Sequence, residues 1–269
     1  MSLPGLSELA RGVFVYELHG AFVVNAGIVV GDDAVAIIDT GTMESEAREI
    51  LAAVASVTDK PVRYVINTHH HGDHSFGNWW FLPAIVIGQR ASRVRLVGEA
   101  GESHRDLTAR LVPAAAEQIQ AVPVVPPALT FEQQCRLQLG EHSLRLDFFG
   151  RAHTDNDIAI GVEGQDVNFA GDLIEESGPP VAFEAFPADW GPTLRRLADV
   201  DESRFVPGHG SAVDRDFVAA QALAFEQIAA ACSEHGEPGA AAAYLDAHAR
   251  AALGAQADPA IQRYFATLD

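Results

Sequence analysis

Two hydrophobic rhythms divide this chain. Over residues 12–18, Val13, Val15 and Glu17 alternate with Phe14, Tyr16 and Leu18, a period of two that predicts a strand. Val23–Val30 and residues 34–39 predict two more, joined by the turn residues Gly31-Asp32-Asp33. From Glu44 to Val57 the period lengthens. Ala47, Ile50, Leu51 and Val54 recur at spacings of three and four behind an acidic first turn, which predicts a helix. Residues 62–67 and 84–88 are apolar and β-branched and predict buried strands, with a short helix begun at Gly77 between them. Residues 89–121 carry helical patterns broken at Gly98, Gly101 and Pro113, and 123–127 reads as a loop.

The second half repeats the first in kind. Strands are predicted over 135–139, 143–149, 157–162, 167–170 and 204–207, and helices from 193, over 217–232, 240–253 and 259–268. Strand-rich blocks closed by helices predict an α/β fold of two sheets packed face to face with helices outside. Residues 1–269 are expected to form a single domain with C-terminal helices from about 213.

Chemistry concentrates where the predicted strand 62–67 ends. His69, His70, His71 and His74, with Asp73 among them, fall within six residues, and imidazole and carboxylate are ligands for zinc and similar divalent metals. A strand end opening into a loop is a usual seat for such groups. His69 and His71 are one residue apart and can project the same way from extended chain. His70 then faces elsewhere and is given no role. Downstream, His153, Asp172 and His209 each follow a strand-like segment. Taken singly they have plainer readings: a surface histidine, a helix N-cap and a turn residue. Asp39, in Asp39-Thr40-Gly41, is a turn former on the same plain view. His19, His104, His142, His235 and His248 have no partner at ligand spacing and are expected at the surface.

Taken in order, these pieces resemble the metallo-β-lactamase superfamily. Its H-x-H-x-D-H signature is matched by His69-x-His71-x-Asp73-His74, and the resemblance spans roughly residues 12–215. It implies an αββα sandwich of two mixed sheets with the site at one edge. It implies His69, His71 and His153 on one metal, Asp73, His74 and His209 on a second, Asp172 bridging both, and Asp39 bracing the histidine loop. Asp73 and Asp172 would also take part in catalysis. Two divalent metals are expected, zinc first, with iron or manganese as alternatives. Such a pair holds a shared hydroxide and polarises a carbonyl. The implied activity is hydrolysis of a small carbonyl substrate: an ester, thioester, lactone or β-lactam. The alternative is a mononuclear iron dioxygenase of persulfides on the same scaffold. Phe76, Trp79, Trp80 and Phe81 after the first ligand loop, and Phe183, Phe186 and Trp190 after Asp172, are candidates for the substrate pocket or for core packing. Glyoxalase II shares the aspartate at position 172, yet only Arg215, Arg250 and Arg263 are basic after His209.

Composition narrows this further. A net charge of −19 argues against nucleic acid and anionic membrane as partners and favours a small-molecule substrate. Two cysteines, Cys135 and Cys232, make no disulfide framework and are expected as buried thiols. Neither a signal peptide nor a run of about 18 apolar residues is visible, so a cytoplasmic location is expected.

Overall fold

The computed structural model describes residues 3–267 except Asp246; the side chain of His248 and residue 268 of the last expected helix lie outside the described residues. Seven strands form the first sheet in chain order: β1 (Leu6–Ala10), β2 (Val13–His19), β3 (Val23–Val30), β4 (Val35–Ile38), β5 (Val62–Ile66), β6 (Ile85–Gln89) and β7 (Leu129–Phe131). The first four pair antiparallel and the last four parallel. Between β4 and β5 runs helix α1 (Glu44–Val57). After β5 come α2 (Gly72–Ser75) and a 3-10 turn (Phe76–Phe81), and after β6 the helices α3 (Arg90–Leu96), α4 (Glu99–Leu111) and α5 (Ala116–Gln120).

The second sheet holds β8 (Gln134–Leu139), β9 (His142–Asp147), β10 (Ala159–Val162), β11 (Val167–Glu175), β12 (Arg204–His209) and β13 (Val213–Asp214), in the order β13-β12-β11-β10-β9-β8. Only β11 and β12 run parallel, linked by α6 (Pro187–Ala198). Helices α7 (Arg215–His235), α8 (Pro238–Tyr244), α9 (Ala247–Leu253) and α10 (Ala257–Ala266) close the chain.

The alternation of each strand sorts its side chains into layers. Ala36 and Ile38 of β4 point between the sheets, where they meet Ile160, Phe169 and Val206. Val35 and Ile37 of the same strand point outward onto Ala47, Ile50 and Val54 of α1. On the far side, Leu173 and Phe205 meet Trp190, Leu194 and Phe225 of α6 and α7. Four layers result, helix, sheet, sheet, helix, and strands buried on both faces read as continuous apolar runs. This is the expected αββα sandwich.

Four expectations are corrected. The helix over 240–253 is two helices, α8 and α9. Strand β11 continues five residues past its expected end, through Asp172 to Glu175, because an irregular register against β12 absorbs Gly171 at φ +52°. Cys232 is buried, but Cys135 on edge strand β8 is only half-buried. His142 is buried rather than exposed, packed against Gly12 at the start of β9. No helix among the described residues is long and apolar enough to cross a membrane.

Candidate metal centre

The seven predicted ligands converge at one edge of the sandwich. His69, His71, Asp73 and His74 follow β5; Asp172 lies in β11 and His209 ends β12; His153 sits in the loop between β9 and β10. Ligand atoms of His69, His71, His153 and Asp172 lie within 4.8 Å of one another, as do those of Asp73, His74 and His209. Asp172 belongs to both neighbourhoods. Its Oδ2 is 3.8 Å from His69 Nε2, 3.4 Å from His153 Nε2 and 3.5 Å from His209 Nε2, while its Oδ1 is 3.3 Å from His74 Nε2. Asp73 Oδ2 reaches His209 Nε2 at 3.4 Å and His74 Nε2 at 3.6 Å. Gly208 makes this approach feasible, because a Cβ there would overlap Asp172 Oδ1.

Hydrogen bonds on the outer side of each ring fix what faces inward. His153 Nδ1 meets the Val181 carbonyl at 3.0 Å and His209 Nδ1 meets the Val23 carbonyl. A carbonyl only accepts, so both nitrogens carry the proton. His74 Nδ1 donates to Asp39 Oδ2 at 2.8 Å, and His71 Nε2 donates to Glu184 Oε2 at 3.2 Å. Thr68 Oγ1 gives its own proton to Asp39 Oδ2 (2.7 Å), so it accepts from His69 Nδ1 (3.1 Å). Each of the five rings therefore turns its other nitrogen to the centre. The lone pairs of His153 Nε2 and His71 Nδ1 face each other at 2.9 Å. Buried His69 Nε2, His74 Nε2 and Asp172 Oδ1 have no hydrogen-bond partner. An unpaired buried polar atom costs about 1–3 kcal/mol, and convergent lone pairs repel; a shared cation answers both. The donor set of nitrogen and oxygen fits zinc or a similar divalent ion.

Protons and cations compete for these atoms. Burial, helped by neighbouring imidazoles, holds His69 well below the ordinary histidine range. Burial outweighs the pull of Asp172 at His153 and pushes it down to about 3. At His74 burial opposes the charge, but Asp172, Asp73 and Asp39 overcome it and raise the group. Burial likewise opposes the charge at His209, yet Asp172 and Asp73 lift it to about 12. His69 and His153 are thus neutral at neutral pH, while His74 and His209 hold an extra proton that a cation would displace.

Asp39 lies against the histidine loop, bonded to Thr68 and His74. Its backbone is left-handed at φ +60°, and its carboxylate takes the Thr68 N–H at 2.8 Å besides the two contacts above. Glu184, in the loop after β11, carried no sequence signal: an isolated acid in an irregular segment. It is hydrogen-bonded by His70 (3.3 Å) and His71, which hold its carboxyl well below the usual range. His70 has a buried ring and faces this second cluster, with Asn156 Nδ2 at 2.9 Å from its Nδ1. His104 is corrected from surface to pocket. Its ring stacks on His71 at 5.4 Å because α4 lies across the ligand loop.

A cavity of about 310 Å³ opens over the ligands. Of the aromatic candidates, Phe183 lines it and stacks on His71 at 5.4 Å. Phe76 is core beneath His104, and Trp79 is half in solvent. Trp190 is core, donating to the Leu173 carbonyl at 3.0 Å with its ring edge toward His153. Phe186 is contacted by the guanidiniums of Arg151 and Arg263, 4.4 and 5.5 Å from its ring centre. Phe22, Leu107 and Leu111 line the cavity without having been singled out.

A four-layer sandwich with this histidine and aspartate centre at its edge defines a class. The family model of the metallo-beta-lactamase superfamily matches residues 19–209, and the chain belongs to that superfamily. A hydroxyacylglutathione hydrolase from Maricaulis maris is 23% identical over 172 residues, 64% of this chain and 57% of that protein. Another, from Methylococcus capsulatus, is 31% identical over 135 residues, 50% of this chain and 42% of that protein. The matches thus span about half the length of these curated relatives. The metallo-beta-lactamase from Pontibacter korlensis superposes with a TM-score of 0.65 at 20% identity, covering 82% of this chain and 98% of that one. The metallo-beta-lactamase FIM-1 from Pseudomonas aeruginosa, in its mono-zinc form, gives 0.65 at 20% identity, covering 83% and 95%. At such identities the likeness is one of fold.

Proposed function

We propose that the protein is a metal-dependent hydrolase of small carbonyl compounds, an ester, thioester, lactone or β-lactam, working with two divalent cations, zinc first among them. The observation that carries this reading is the set of five imidazole nitrogens turned inward around a carboxylate shared by both clusters. Divalent cations bound there supply Lewis acidity, which polarises a carbonyl oxygen and makes water acidic enough to attack near neutral pH. His69, His71 and His153 would hold one cation, Asp73, His74 and His209 the other, and Asp172 would span them. Asp73 lines the cavity, so its carboxylate can take the proton released by the attacking water and return it to the leaving group. The acyl carbon gains the hydroxyl and the leaving oxygen, sulfur or nitrogen gains the proton. The hydroxyacylglutathione hydrolase relatives support a thioester among the candidates.

Elemental analysis with a panel of activated esters, thioesters, lactones and β-lactams tests this. About two divalent metals per chain are expected, with turnover of at least one acyl class. Asp172→Ala should loosen both metals and abolish most turnover. A single iron per chain, with oxygen consumed on persulfides and no acyl hydrolysis, would overturn the proposal in favour of the dioxygenase.

A further inference from the structure

The wall of the cavity says which carbonyl compounds suit it. Phe22 enters from the turn between β2 and β3, Leu107 and Leu111 from α4, and Val181 and Phe183 from the loop after β11. Three separate stretches of chain thus give one apolar rim. Leu111 is 60% exposed and Phe183 47%, so large apolar side chains stand in water at the mouth. A ligand that covers them gains the hydrophobic free energy they forgo.

Polar groups in the lining are equally selective. No lysine or arginine lines the cavity among the described residues, while Asp73, Asp172 and Glu175 do. An adjoining cleft shares Leu107 and Phe183 and contains Arg95 and Arg263. Both are engaged: Arg95 on Asp155, with Nε at 3.2 Å, and Arg263 on the carbonyls of Ala185 (2.8 Å) and Glu184 (3.3 Å). A substrate carboxylate would find no counter-charge away from the metals, on a chain of net charge −19.

Resting on the hydrolase reading above, we infer that the substrate is a neutral acyl compound whose apolar chain lies between Phe22, Leu107, Leu111 and Phe183 while its carbonyl meets the histidine and aspartate centre. This separates the chain from its glutathione-thioester relatives, since glutathione carries two carboxylates for which this cavity offers no partner.

The test is a series of neutral esters and thioesters, acetyl to decanoyl, beside chains of equal length ending in a carboxylate, on protein of measured metal content. The kcat/KM should rise about three- to fourfold per methylene before it levels off, the gain of burying one CH2. Carboxylate-terminated chains should run at least about tenfold slower than neutral ones. Leu111→Arg, at an exposed site that tolerates the change, should shift the carboxylate-to-neutral ratio about tenfold toward the carboxylate. Binding of unreactive n-alkyl methyl ketones, followed by calorimetry, should tighten with chain length. Hydrolysis that ignores chain length, or prefers the carboxylate series, overturns the inference and leaves the hydrolase standing. Ketone affinity that climbs while no acyl compound is hydrolysed overturns the hydrolase and leaves the apolar subsite standing.

Discussion

Changing Asp39 to asparagine alters one atom of a buried carboxylate and should weaken one cation far more than the other. Asparagine tolerates the left-handed backbone at this position, so the main chain need not move. The Thr68 N–H can only donate, so the amide oxygen must take the Oδ1 place, 2.8 Å away. That puts the NH2 group where Oδ2 stood, against Thr68 Oγ1 and His74 Nδ1. Thr68 Oγ1 can accept; His74 Nδ1 must now accept as well. Its proton moves to Nε2, the atom that faces Asp172 and Asp73, and the ligand lone pair is lost. Losing the outer partner of a ligating histidine lowers metal affinity about 10- to 100-fold, or about 1.4–2.8 kcal/mol. The effect should fall mainly on the Asp73–His74–His209 cluster, because His153 and His71 have their own outer partners, Val181 and Glu184, and His69 keeps Thr68 Oγ1, whose two lone pairs can accept from it and from the new amide. Competition against a chelator, with metal content read per chain, measures it, and a thermal scan checks that the variant folds. A folded Asp39→Asn protein that holds both cations as tightly as the parent would refute the tautomer argument.

Glu184→Ala should produce the opposite selectivity, loosening the cation of His69, His71 and His153 about 10- to 100-fold, while Glu184→Gln, which still accepts from His71, should recover part of the loss. Equal affinities in all three proteins would remove Glu184 from the site. In metal-free protein, His209 and His74 have raised pKa values, so their contribution to stability is complete below the unfolded value near 6.5 and drains away as pH rises toward the folded one. Metal-free protein should therefore be less stable to denaturant at pH 9 than at pH 7, and a flat profile would contradict this. Cation binding to that cluster should release protons at neutral pH, countable by calorimetry in two buffers of different ionisation enthalpy.

Legibility in the sequence followed how each residue acts. The seven ligand candidates were visible because imidazole and carboxylate in that order have few other uses, and all seven converge. Glu184, His104, Phe22, Leu107 and Leu111 were not, because each depends on which way a loop or a helix face turns. Helix α4 has few apolar residues, and nothing in its pattern marks Leu107 and Leu111 for a pocket. Strand β11 was cut short because Gly171-Asp172 looks like a turn, whereas the sheet carries it as an irregularity. Strands β1 and β7 went unread for a different reason: they are short edges of five and three residues, too brief for a period of two to show.

The ligands come from both sheets, and that has a kinetic consequence. His71 and His153, whose lone pairs meet, are 82 residues apart in the chain, and Asn25 of β3 must reach across to the Pro207 carbonyl, 182 residues away, to seat β12. Contacts of such range close late, after the loops between them have surrendered their entropy. A cation therefore meets the full set of ligands only once the two sheets have docked. Loading the protein with metal should leave its refolding rate nearly unchanged and slow its unfolding, so that in stopped-flow measurements the whole gain appears as a longer lifetime of the folded chain.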